Sequence, residues 1–234
     1  MTLNTTHIKT DLDYYWKTID CIQNVKNNLI TYFIDSDGIC TTWESQTDGV
    51  LEINAVSIPQ SYVNYTVNIF TSLDEILDIN FKRVFNENDA IMKIKHVENL
   101  PPGKDFYGAA SSCYSDKYYD WDIGKWRAND LNLDILIKNT RIVNSHRYYD
   151  NSHKETIIHE IGHVLTLEHP FEDNDGDVYG DVNSTKMQDT LLAYGSRTET
   201  YPTWYQDIDI QALQEVWGVE QPRIFESNFR DYNF

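Results

Sequence analysis

The chain has 234 residues, 41% hydrophobic and 13% aromatic, which suits one folded domain that buries a core without a disulfide framework. Nineteen Lys+Arg against 37 Asp+Glu leave a net charge of −18, excluding phosphate backbones and anionic membranes as natural partners and favouring cations. No apolar signal-peptide core opens the sequence and no run of about 18 apolar residues crosses it, so neither a cleaved leader nor a membrane span is expected.

Taken in chain order, Leu12, Tyr15, Trp16, Ile19 and Ile22 recur at helical spacing and predict a helix over about 10–25. A strand is predicted over 29–34, with short strands around 41–43 and 50–53 in a mixed stretch. Val63, Val67, Phe70 and Leu73 predict a helix over 60–77. Strands follow over 79–85 and 90–97, and Pro101, Pro102 and Gly103 break the chain. Small residues over 108–114 and the apolar run over 131–137 read as two more strands. A long helix is expected from about Ser152, with Ser152 and Glu155 as a capping box, and a last helix over 207–217 stopped by Gly218. These elements predict an α+β fold, a mixed twisted sheet packed on helices.

Residues 156–170, TIIHEIGHVLTLEHP, carry the chemistry. His159 and His163 are four apart, so a helix projects both imidazoles from one face, where they can share a zinc ion. Glu160 follows His159 and is placed as general base, taking a proton from attacking water and passing it to the leaving amine. His169 lies six residues beyond His163 and needs a turn that folds back to the metal. Three protein ligands with a fourth position left open define a catalytic rather than a structural zinc site.

This pattern resembles the metzincin signature HExxHxxGxxH, and Pro170 after the third histidine resembles the serralysin branch. Downstream, Thr190-Leu191-Leu192-Ala193-Tyr194 is similar to the serralysin Met-turn. The resemblance implies a zincin/metzincin-like fold with the HExxH helix, an irregular C-terminal subdomain and a closing helix. It implies a zinc metalloendopeptidase, with Leu192 in place of the methionine beneath the ion. Tyr194 would be a further ligand of the resting ion and a hydrogen-bond donor to the oxyanion. Two residues depart from the family: Thr166 stands where it has glycine, and Leu192 where it has methionine. A left-handed threonine costs on the order of 1–2 kcal/mol, and a Leu-for-Met exchange usually under about 1.5 kcal/mol.

The implied organisation is an N-terminal helical extension over 1–28, a catalytic domain over 29–219 and a tail over 220–234. Asp173, Asp175, Asp177 and Asp181 alternate on a Gly-containing loop and form a candidate calcium site, although the EF-hand pattern is not met. His7, His96, His146 and His153 are scattered and read as structural. Cys21, Cys40 and Cys113 read as free, partly buried thiols, although Cys21 and Cys40 are close enough in sequence to pair.

The expected partner is a protein or peptide substrate, with the N-terminal helix or C-terminal tail as an assembly contact. The expected setting is non-classical secretion or a particle rather than the cytoplasm. The alternative function is a binding or structural module, weak or inactive as a protease, within a larger complex or virus particle.

Overall fold

The computed structural model describes residues 2–10, 28–45, 49–101, 107–115, 118–121, 125–127, 130–139, 147–172, 176–195 and 200–221. All but the first residue of the helix expected over 10–25 lies outside them, as do Cys21, His146 and residues 222–234 of the tail. In chain order the elements are a 3-10 turn at Thr5–Ile8, strands β1 (Leu29–Ile34), β2 (Thr42–Ser45) and β3 (Gly49–Glu52), and helix α1 (Gln60–Asp74). Then come β4 (Asn80–Arg83), a 3-10 turn at Glu87–Asp89, β5 (Met92–Val97), β6 (Gly108–Ser115), β7 (Tyr118–Asp120), β8 (Lys125–Arg127) and β9 (Asp130–Lys138). Helices α2 (Arg147–Val164) and α3 (Asp207–Trp217) complete the described elements.

Five strands form the main sheet in the order β4-β1-β5-β9-β6; β2–β3 and β7–β8 are separate two-stranded ribbons. The first four strands are mutually parallel, and β6 alone runs antiparallel, at the edge against β9. A parallel sheet needs cover on both faces, and the sequence of β9 shows how this is met. Leu131, Leu133, Ile135 and Ile137 point into the main core, shared with Ile157, Ile158 and Ile161 of α2 and with Val63, Phe70 and Leu73 of α1. Leu136 points the other way, into a smaller cluster with Trp43 of β2 and Ile53. Two helices therefore cover one face, and the β2–β3 hairpin covers part of the other.

The hairpin is fixed by a buried charge. Lys95 on β5 is 1% exposed and donates to the Thr42 carbonyl at 2.8 Å and to Asp134 of β9 at 3.1 Å. Asp134 in turn accepts the Glu44 N–H at 3.0 Å. The ammonium thus joins two neighbouring strands to the ribbon that covers them.

The structure moves two predicted boundaries. Helix α1 ends at Asp74 rather than 77, because Leu73 accepts from both Ile76 and Leu77 in a closing turn. Helix α2 starts at Arg147, so Ser152 and Glu155 lie inside it and are not a capping box. Ser152 instead accepts the Thr156 hydroxyl at its carbonyl, at 3.0 Å. The fold as described is a mixed sheet with few helices, an arrangement common to many unrelated chains. Among the described residues no helix is long and apolar enough to cross a membrane.

Asp134→Ala is expected to lower stability by about 3–5 kcal/mol in urea denaturation, because it leaves a buried ammonium short of its nearest counter-charge. The double variant Lys95→Met/Asp134→Leu, which removes both charges, is expected to cost less than the single one.

Candidate metal centre

From Glu155 to Val164 helix α2 is buried at nearly every position. Its isoleucines face the sheet, and His159, Glu160 and His163 line a cleft of about 800 Å3 that β6 borders along Tyr107–Ser111. The helix ends at a left-handed residue, Thr166, with φ 77°. Thr166 N–H donates to the His163 carbonyl at 3.0 Å and Leu167 N–H to the Gly162 carbonyl at 2.9 Å, the paired bonds of a Schellman closure.

Threonine is an unfavourable residue here, costing on the order of 1–2 kcal/mol relative to glycine. Its neighbours over-determine the turn. The Thr166 carbonyl accepts from Thr10 N–H at 3.1 Å, and Glu168 N–H donates to the Ile8 carbonyl at 3.0 Å. The Trp217 indole of α3 donates to the Leu165 carbonyl at 3.0 Å. The chain consequently doubles back and returns His169 to the face of α2.

The Nε2 atoms of His159, His163 and His169 lie 3.1, 3.2 and 3.3 Å from one another. Each ring spends its other nitrogen on an acceptor. His159 Nδ1 meets the Leu191 carbonyl at 3.0 Å, His163 Nδ1 the Leu167 carbonyl at 2.8 Å, and His169 Nδ1 the Glu172 carboxylate at 2.8 Å. Those acceptors assign the proton to Nδ1 in all three rings, so three bare Nε2 lone pairs converge on one point.

Burial first, and the neighbouring imidazoles second, hold His159 well below its ordinary pKa and His163 down at about 3. Neutral imidazoles with converging lone pairs repel one another unless a cation stands between them. Donors placed about 2.0–2.1 Å from a tetrahedral zinc are about 3.3 Å apart, so the observed triangle fits that ion. Second-shell acceptors on every Nδ1–H are the usual support of such ligands.

Glu160 is 6% exposed, and burial, followed by the nearby Glu155 carboxylate, pushes it up to about 8. Its side chain lies against Gly108: a Cβ there would come within 2.5 Å of Glu160 Oε1. Burial alone raises Glu155 to about 8 as well. Tyr194 is 36% exposed, with its ring centroid 4.7 Å from that of His169 and 6.4 Å from that of His159. Burial and the Glu172 and Glu160 carboxylates push its phenol up to about 12, which keeps it a donor. Leu192 is fully buried in the main core.

Of the four loop aspartates, Asp173 and Asp175 lie outside the described residues. Asp181 spends a carboxylate oxygen on the Asn183 N–H at 2.8 Å, and among the described residues only the three histidines gather as a metal-binding group. The His96 and His153 rings lie 5.2 Å apart, tilted by 35°, and His7 accepts the Asn4 N–H through Nδ1. Cys40 is a buried free thiol.

Three contributors escaped the sequence reading. Gly108 gives no sequence signal of its role. The arm over 4–10, assigned in the sequence only to an N-terminal helical extension, holds a 3-10 turn and braces the Thr166 turn. Asp209 sits at the third position of α3 and accepts from Gln206 N–H at 2.8 Å, Leu191 N–H at 2.8 Å and the Thr190 hydroxyl. Burial pushes it up to about 6 despite those donors. The helix that carries it was predicted; its grip on Leu191, whose carbonyl orients His159, was not.

No family model and no curated protein matches the chain. A solved structure titled "GM1 bound form of the ECX AB5 holotoxin" aligns over 96% of this chain and 94% of its own, at 16% identity and a TM-score of 0.48. The zincin/metzincin-like fold expectation is corrected to the architecture itself, a mixed five-stranded sheet with three α-helices among the described residues.

Gly108→Ala is expected to preserve fold and metal stoichiometry while lowering any Glu160-dependent turnover by about 100-fold, since the flexible carboxylate is what gives way. Asp209→Asn replaces an acceptor-only group with one that cannot satisfy three donors. It is expected to weaken zinc binding about 10–100-fold by competition with a chromogenic chelator.

Proposed function

We propose that this protein is a zinc-dependent endopeptidase, with His159, His163 and His169 as metal ligands and Glu160 as general base. The observation that carries the reading is the convergence of three Nε2 atoms within 3.3 Å while every Nδ1 is committed elsewhere. The ligand spacing resembles that of metzincin proteases; that likeness concerns the ligand set and not the fold.

Zinc held there supplies Lewis acidity, which polarises a carbonyl and makes water a nucleophile at neutral pH. Glu160, buried beside the triad, accepts the proton of the attacking water; the elevated affinity of its carboxylate for a proton suits it to that task. It then delivers the proton to the departing amine. The Tyr194 phenol, protonated at neutral pH, donates to the negative charge that develops on the carbonyl oxygen. An extended peptide has a ready partner in the outer edge of β6, which no other described strand pairs and which borders the cleft. A setting outside the cytoplasm, by non-classical export or on a particle, belongs to the same proposal and rests on the sequence alone.

Zinc-loaded protein is expected to cleave an unstructured protein such as casein. Chelation should abolish cleavage, and Glu160→Gln should lower it by at least about 1,000-fold with the metal retained. A loaded protein that cleaves nothing across pH and calcium concentrations would overturn the enzymatic reading in favour of a metal-stabilised binding module.

A further inference from the structure

The peptidase reading leaves one buried side chain of the cleft without a task. Glu155 lies one turn before His159 on α2, is 6% exposed, and lines the same cleft as Ser152 and Thr156 of its own helix and Gly108 and Ala110 of β6. Among the described residues no hydrogen-bond donor reaches its carboxylate. The nearest candidate, His159 Nδ1, stands at 3.5 Å and already has the Leu191 carbonyl at 3.0 Å.

A carboxylate buried without donors is costly, by several kcal/mol in a fully dry setting, and such a group is normally paired. None of the lining residues is lysine or arginine, and Glu160, Glu168 and Glu172 are further carboxyl groups of the same cleft. Gly108, Ala110, Ser152 and Thr156, which line the same cleft, are small, so a long substrate side chain has room there, and the two hydroxyls offer acceptors for its remaining donors.

Position follows from the strand. Gly108 faces Glu160, and Ala110, the next residue on the same face of β6, lies roughly 7 Å further along at the usual rise of a strand. A peptide lying along that edge brings a residue within about three positions of the reacting carbonyl to the Ala110 end of the cleft.

We propose that this end of the cleft is a specificity pocket for a lysine or arginine side chain of the substrate, with Glu155 as its counter-charge. The inference rests on the peptidase reading for its substrate, but the pocket binds peptide whether or not the bond is broken. An acidic protein with a donor-poor carboxylate in its cleft then selects basic segments and rejects acidic ones.

The test has two arms. Cleavage sites in a mixed peptide library are mapped with zinc-loaded wild type, and binding of matched fluorescent peptides carrying lysine or its uncharged isostere norleucine is measured on Glu160→Gln. Lysine or arginine is expected within three residues of the cleaved bonds. The lysine peptide is expected to bind at least about tenfold more tightly than the norleucine peptide. Adding Glu155→Gln should bring that ratio to within about twofold, with zinc content and melting temperature checked on each variant. Glu155→Leu, which removes the carboxyl group and adds no new donor, serves as the second variant and should have the same effect. Binding indifferent to lysine, or a preference that survives Glu155→Gln and Glu155→Leu, overturns the pocket. Failure to cleave any library peptide overturns the peptidase reading instead, and leaves the binding ratio to judge the pocket.

Discussion

Three imidazoles can offer three bare nitrogens to one point only if each has somewhere else to put its proton. Everything unusual about this chain serves that condition. Two of the acceptors are backbone carbonyls, Leu191 and Leu167, and the third is the Glu172 carboxylate. A backbone acceptor cannot rotate away as a side chain can, so its aim is as fixed as the segment that carries it. Burial enforces the same state from the other side, since protonated rings would be stranded charges in a dry cleft.

The segments carrying those acceptors are anchored far away in sequence. Asp209 grips the Leu191 N–H from the first turn of α3, and Trp217 at the other end of that helix donates to the Leu165 carbonyl at the end of α2. One short helix therefore holds the outer supports of both His159 and the turn before His169. The arm over 4–10 adds a second brace: Ile8 is fully buried, and Lys9 and Thr5 both bond Glu215 on α3. The ligand geometry is thus a property of the closed domain rather than of the HExxH helix alone. Local signals can announce such a site but cannot build it.

That division explains what could be read in advance. The ligands and base were legible because their spacing is dictated by one helix, and residues 29–34 and 207–217 because apolar patterning and a glycine stop mark them locally. The start of α2 was misjudged because Ser152 and Glu155 mimic a cap; only the burial of Glu155 reveals an interior turn. Gly108 carries no local signal, since its meaning depends on Glu160 arriving beside it from a different element. The fold family was misjudged for a related reason: a ligand motif constrains a few residues around an ion, and a mixed sheet with covering helices is a frequent answer to burying strands.

Thr166 shows how the supports and the strain balance. Its left-handed angle withholds on the order of 1–2 kcal/mol from the fold, and the buried Glu155 and Glu160 withhold more. A domain stable by about 5–15 kcal/mol can carry such losses, but not many of them. The three lone pairs are unfavourable in the same sense until a cation satisfies them, so under the proposed reading metal binding returns stability that the site costs. A ligand bound only by the folded state adds RT ln(1 + [L]/Kd), about 4 kcal/mol at a thousandfold excess over Kd. On that scale a threonine at the turn is affordable without any change in its backbone angle. The glycine expected there is then a convenience of stability and not a requirement of the chemistry.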